Sequence, residues 1–213
     1  MNTVRTVTLA LGVAALTLGT GAFAKNAPGV TKTSIKIGNT NPYSGPASAY
    51  STIGKSIGAY FNKVNQEGGI NGRKIEWVSV DDGYSPPKTK EQFRKLVERE
   101  KVAFMFQSLG TPTNSAVHRY MNKKKVPQLF VATGATKWGD PKNFPWTMGF
   151  QPNYQTMGKI FGGYVLKNHP NGKIGILYQN DDYGKDYVIG LRAALGAKAD
   201  AMIVAEETYE VTD

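Results

Sequence analysis

Val102-Ala103-Phe104-Met105-Phe106-Gln107-Ser108-Leu109-Gly110-Thr111-Pro112-Thr113-Asn114-Ser115 decides the fold. The apolar run 102–106 reads as a short buried strand. Residues 116–124 read as a helix, with Thr113 or Asn114 placed to cap its first turn. The loop between them lies at the carboxyl end of a strand and the amino end of a helix. Backbone N–H groups without intrahelical partners and the positive end of the helix dipole converge there. Gly110 and several hydroxyls crowd the same spot, so a small anion such as a carboxylate can be held without a charged side chain. An ordinary capped helix is the competing reading, and caps are far commoner than anion sites. The order of elements on either side decides between them.

Upstream, residues 34–38 alternate polar and apolar and then meet Asn39-Thr40-Asn41-Pro42, which reads as a strand running into a turn. Residues 47–65 carry Ile53, Ile57, Tyr60, Phe61 and Val64 at helical spacing. Gly68-Gly69 ends that helix, and residues 74–80 read as the next strand. Pro86 or Pro87 suits the first turn of a helix reaching about Arg99, with Phe93, Leu96 and Val97 inward. Downstream, 126–131 reads as a fourth strand. Residues 146–150 read as a strand lying outside this sheet. A helix over 154–167, a strand over 173–178, a helix over 185–195 and a strand over 201–205 follow. Strand and helix alternate throughout, which predicts an α/β fold of βαβ units with a parallel sheet and right-handed crossovers. Ligands in such sheets sit beyond the carboxyl ends of the strands. The segments there are 43–45, 81–84, Leu109 to Thr113, Thr133-Gly134-Ala135-Thr136, and 180–183. They are rich in Ser, Thr, Tyr and Gly, which suits a small polar solute.

The 213 residues allow one or two domains, and 40% hydrophobic with 20% charged residues allows a real core. Arg5, an apolar run over 9–18 and Ala22-Phe23-Ala24 form a signal-peptide pattern over residues 1–24, with cleavage expected after Ala24. Losing that segment removes one charge, Arg5, and takes the net charge from +10 to +9. Basic residues gather over 88–101 and at Lys123-Lys124-Lys125. They do not interleave with aromatics, so they read as a solvated face and not as a nucleic-acid surface. There is no cysteine, hence no disulfide and no Cys-ligated metal. The two histidines, His118 and His169, lack spaced partners for a metal and read as surface residues. No nucleophile elbow, phosphate-binding loop or dinucleotide fingerprint appears, so no catalysis and no cofactor are expected. Asp81-Asp82 and Asp181-Asp182 lie at strand ends, where Asp more often caps the next helix than binds a metal.

The ordered set Ile35-Lys36-Ile37-Gly38, Ser44-Gly45-Pro46 with Tyr50, Gly68-Gly69-Ile70-Asn71-Gly72-Arg73, Asp81-Asp82, the loop at 108–115, 132–136 and Asp182-Tyr183-Gly184 resembles the type I periplasmic solute-binding proteins of ABC importers, in the branched-chain amino acid (Leu/Ile/Val-type) binding family. The resemblance covers nearly all of the chain after Lys25. It implies a first ligand-binding lobe over 25–150 and a partial second lobe over 151–213, since family members are roughly twice as long. It implies that Thr111 and Thr136 donate to a ligand carboxylate, that Gly134 offers its carbonyl, and that Tyr50 and Tyr183 wall the cleft. It implies a monomer in the periplasm serving an inner-membrane permease, and places the acidic partner of a ligand ammonium beyond residue 213. Family members often carry a Cys pair where Tyr84 and Gly110 stand here, which sets a Tyr ring at the pocket floor and admits aromatic or other organic acids as the alternative ligand. A small α/β hydrolase or reductase is the competing function.

Overall fold

The computed structural model describes residues 27–211. The signal segment over 1–24 and its cleavage site lie outside the described residues. Strands β1 (Ser34–Asn41), β2 (Lys74–Asp81), β3 (Phe104–Phe106), β4 (Gln128–Val131) and β5 (Thr147–Gly149) form one sheet in the order β2-β1-β3-β4-β5, every neighbouring pair parallel. Helices α1 (Ser51–Gln66), α2 (Pro86–Arg94) and α3 (Thr111–Lys124) make the crossovers. The chain steps from β1 to β2 in one direction and from β2 through β5 in the other. Right-handed crossovers therefore put α1 on one face and α2 and α3 on the opposite face. Phe93 and Leu96 pack with Val117 and Met121 of α3 over Val102 and Met105, all buried. On the α1 face an aromatic row crosses the sheet: Trp77 to Phe106 at 6.4 Å, Phe106 to Phe130 at 5.8 Å, and Phe130 to the exposed Phe150 at 5.6 Å.

Three strand readings change. The strand read over 201–205 begins only at Ile203, because residues 199–202 form a short helix, and it runs on to Tyr209. β1 runs on to Asn41, because Asn39, Thr40 and Asn41 are buried within the sheet and not exposed in a turn. The Asn39 amide donates to the carbonyls of Phe106 (2.8 Å) and Gln107 (3.0 Å), and its oxygen accepts from Ser79 Oγ and Asn41 Nδ2. The Asn39 side chain is thus fully paired in the interior, while Thr40 Oγ1 and Asn41 Oδ1 are buried without a hydrogen-bond partner among the described residues. Residues 147–149 belong to the first sheet as its edge strand, held by Gln128 N donating to Trp146 O (2.7 Å) and by Asn122 bridging to Trp146 and Thr147.

The expected cap of α3 is also corrected. The helix starts at Thr111 with Pro112 in its first turn and Gly110 as N-cap. Thr113 and Asn114 do not accept from the helix N–H groups. The Thr113 hydroxyl donates backwards to Leu109 and Gly110 carbonyls, and the Asn114 amide donates to Ser108 (2.8 Å) and Gly110 (2.7 Å) carbonyls. No side chain caps the first turn, so its leading N–H groups stay open to a ligand.

Beyond residue 150, α4 (Tyr154–Asn168), β6 (Ile174–Gln179), α5 (Asp182–Leu195), the short α6 (Ala199–Met202) and β7 (Ile203–Tyr209) follow, with β6 and β7 paired in parallel. Asp181 caps α5 by accepting from Tyr183 N (2.9 Å) and Gly184 N (3.3 Å), the structural role expected of Asp at such a strand end. α4 and α5 touch backbone to backbone through Gly158 and Gly190: a Cβ on Gly158 would lie 2.3 Å from the Tyr187 carbonyl oxygen.

Candidate ligand-binding site

The crossover direction reverses at β1, so the loops leaving β1 and β3 diverge and open a crevice between them. A cleft of about 480 Å³ lies there. Pro46, Ala47, Tyr50 and Ile53 line it after β1, Tyr84 after β2, Leu109, Gly110 and Thr111 after β3, and Ala132 after β4. Gln151, Tyr154, Gln179, Tyr183, Tyr187, Tyr209 and Val211 form the facing wall.

Two aspartates set the loop that carries Tyr84. Asp81 accepts from Tyr43 N (2.9 Å), Gly83 N (2.9 Å), Ser44 Oγ (2.6 Å) and Lys88 Nζ (2.7 Å). Its burial works against the charge, but Lys88, Ser44 and the Gly83 N–H outweigh it and hold the carboxyl well below the usual range. Asp82 is buried; burial pushes its titration up, against the opposing bonds from Tyr84 N and Thr89 Oγ1. Tyr84 takes a left-handed backbone (φ 59°) and lays its ring against Gly110. A Cβ at Gly110 would sit 2.5 Å from Tyr84 Cε2, and φ there is 102°. Only glycine meets both demands. Burial pushes the Tyr84 phenol upward, against an opposing influence of Gln179 on the facing wall.

Thr111 is 2% exposed, and its Oγ1 lies 2.5 Å from Thr133 Oγ1. Thr133 Oγ1 also accepts from Ala135 N and Trp138 Nε1, each at 3.3 Å. A hydroxyl has two lone pairs and one proton. With both lone pairs of Thr133 engaged by those two donors, this lone-pair count favours Thr133 as the donor to Thr111.

Of the residues expected at the site, Tyr50, Leu109, Gly110, Thr111 and Tyr183 come together at the cleft. Gly134, Ala135 and Thr136 line a separate hollow of about 400 Å³ with Trp138, Met148 and Phe150. The Gly134 carbonyl accepts from Tyr154 N (2.8 Å). The Thr136 hydroxyl pairs with Asn153, and its N–H donates to Asp186 Oδ2 (2.7 Å). These bonds turn the 134–136 segment toward α4 and α5. Thr113 is buried and lines neither space. Tyr84, expected at the pocket, lines the cleft. Tyr154, Tyr187 and Tyr209 were missed. Tyr187 lies one helical turn past Tyr183, a spacing that would have placed both on one face.

Below the cleft, Lys137 Nζ reaches Asp182 Oδ2 (2.8 Å) and Ser115 Oγ (3.1 Å), and Gln155 donates to Asp186 Oδ1 (2.8 Å), joining the first sheet's connections to α4 and α5. His118, expected at the surface, is buried: its ring stacks on Phe144 at 3.8 Å and meets the Trp138 ring at 5.0 Å. Burial and nearby Lys137 push its titration down to about 4. Among the described residues no three His, Asp or Glu side chains gather as a metal site.

A family model described as periplasmic binding protein matches residues 34–213. The Leu/Ile/Val-binding protein homolog 1 of Brucella abortus is 24% identical over 178 residues, covering 83% of this chain and 46% of that protein. The chain thus spans about half the length of the curated relatives it matches. Two solved structures are each 26% identical. One is the branched-chain amino acid transporter substrate-binding protein LivJ from Streptococcus pneumoniae in complex with isoleucine (TM-score 0.69, 85% of this chain and 51% of that one). The other is a fatty acid ABC transporter substrate-binding protein from Thermomonospora curvata (TM-score 0.72, 89% and 48%). Equal identity to proteins named for such different ligands leaves ligand class to the residues of the cleft.

Proposed function

The chain belongs to the periplasmic binding protein family, and from that premise we propose that it serves as the substrate-binding component of an ABC importer. It holds a small carboxylate, an amino acid or an organic acid of similar size, and presents it to an inner-membrane permease. It acts in the periplasm after cleavage behind Ala24, as a monomer, and it binds without turning its ligand over. The observation that carries this reading is the open amino end of α3 at the crevice. There the uncapped first turn and the Thr111 residue that lines the cleft face a wall supplied by α4, α5 and β7. Partial positive charge from the helix terminus and N–H donors meets a carboxylate without a counter-ion.

Titration calorimetry with leucine, isoleucine, a short fatty acid and benzoate tests it. At least one carboxylate should bind and be recovered unchanged. A hydrogen bond to a charged group is worth about 1.5–3 kcal/mol, so Thr111→Val should weaken that binding by roughly tenfold to a hundredfold, and Thr111→Ser far less. Binding indifferent to Thr111→Val, or consumption of the ligand, overturns the reading.

A further inference from the structure

Resting on the carboxylate reading above, we infer that the cleft selects a planar aromatic carboxylic acid, such as a benzoate or hydroxybenzoate, over an aliphatic one of the same size. The lining contains six tyrosines, Tyr50, Tyr84, Tyr154, Tyr183, Tyr187 and Tyr209, and its other polar side chains are Gln151, Gln179 and Thr111. Tyr84 matters most, because of where its ring lies. It is packed so closely on Gly110 that a methyl group there would overlap it. Any body attached to a carboxylate at the start of α3 must lie against that aromatic surface. Tyr84 cannot easily swing away: its ring packs on Gly110, and the Asp82 bond to its N–H fixes its backbone.

The facing wall is also aromatic and braced. Tyr154 and Tyr187 stack with centroids 5.0 Å apart and planes 25° apart. Tyr183 stands edge-on to both, at 5.1 Å and 5.6 Å. Rings held by one another lose little freedom when a ligand arrives. A flat ligand entering between Tyr84 and this cluster gains face and edge contacts that a puckered ring or a branched alkyl group does not. Burial raises the Tyr84 and Tyr183 phenols, so they stay neutral at any physiological pH and suit ring hydroxyls on the ligand, whereas the Tyr187 hydroxyl already donates to Met157 Sδ (3.3 Å). The cleft volume, about 480 Å³, falls in the range of pockets that enclose ring-sized ligands, roughly 300–1,000 Å³.

The test compares benzoate, 4-hydroxybenzoate, cyclohexanecarboxylate and leucine by calorimetry on the full chain. Benzoate and cyclohexanecarboxylate share the carboxylate and differ mainly in flatness and π density. The aromatic acids should bind about tenfold or more tighter than cyclohexanecarboxylate and leucine. Tyr84→Leu should remove most of that preference, and Tyr84→Phe should keep it. If Tyr84→Leu does not fold, as judged by circular dichroism, Tyr183→Leu serves as the second variant and should halve the preference or more. Equal or tighter binding of cyclohexanecarboxylate or leucine, still sensitive to Thr111→Val, overturns this inference and leaves the carboxylate reading standing. Binding of no carboxylate, or binding indifferent to Thr111→Val, overturns both.

Discussion

Gly158→Ala puts a methyl group where α4 and α5 meet backbone to backbone. Its Cβ would fall 2.3 Å from Tyr187 O, 2.9 Å from Leu191 N and 3.1 Å from Gly190 Cα. None of these atoms belongs to a side chain that can rotate aside. Ordinary contact begins near 3.4 Å, so the helices must separate by about 1 Å. That shift strains the Gln155–Asp186 bond (2.8 Å) and the Tyr154–Tyr187 stack that walls the cleft. Overpacking of this kind costs about 1–3 kcal/mol, against a gain of up to about 1 kcal/mol from replacing glycine within a helix. The net loss is up to about 2 kcal/mol, or up to roughly 8 °C in Tm for a chain of this size. Gly163→Ala on the same helix is the control, since a Cβ there meets nothing within 4 Å. It keeps the propensity gain alone and should raise Tm by about 1–4 °C. Thermal unfolding followed by circular dichroism, with urea titration to verify an unchanged m value, reads both variants. If Gly158→Ala proves as stable as Gly163→Ala, the close helix contact does not exist and the reasoning fails.

His118 is buried as the neutral imidazole, disfavoured as a cation by burial and Lys137 and favoured only weakly by Asp140, with titration near 4. The unfolded chain takes up that proton near pH 6.5, so stability is whole above that pH, falls by about 3 kcal/mol between pH 6.5 and 4, and levels below it. Urea unfolding at pH 7 and pH 4.5 should show this loss shrinking in His118→Leu; an identical loss in the variant refutes the burial argument. Thr133→Val strands the buried Trp138 Nε1 and Ala135 N donors and should cost about 1–3 kcal/mol of stability. It should also weaken ligand binding less than Thr111→Val does, and Thr133→Ser should restore both. N-terminal sequencing of periplasmic protein should begin at Lys25; an intact Met1 in the cytoplasm would show that residues 1–24 do not direct export.

Alternating strands and helices were legible because apolar runs such as Val102 to Phe106 are bounded by glycine, proline and hydroxyl residues, a pattern set by local chemistry. The end of β1 was not. Asn39, Thr40 and Asn41 look like a turn, and only the carbonyls of Phe106 and Gln107, distant in sequence, make a buried strand of them. The start of α3 was misread for a related reason. Thr113 and Asn114 are good caps by type, but the carbonyls of Ser108, Leu109 and Gly110 lie within reach and draw their donors backwards. Gly110, Thr111 and Tyr183 were expected at the cleft because loops at the carboxyl ends of parallel strands must face one another; Tyr50, beyond the first such loop, came from the family resemblance alone. The 134–136 segment occupies such a loop too, yet Tyr154 N and Asp186 rotate it aside. No local pattern encodes that rotation. Tyr187 and Tyr209 lie a helical turn and a strand length beyond the loops, where geometry alone brings them to the cleft.

The order β2-β1-β3 gives the central strand two partners that arrive at very different times. Ile37 pairs with Trp77 on one side and with Phe104 on the other. Neither sheet contains a hairpin among the described residues, so each pairing waits for a crossover to close. Chains dominated by such non-local pairings reach the native state in milliseconds to seconds, not microseconds. Until Phe104 to Phe106 arrive, one edge of β1 stays unpaired and can compete for any other strand nearby. The Asn39 amide lacks its carbonyl partners on Phe106 and Gln107 until the same moment, so closing the β1–β3 edge and satisfying that amide are one event.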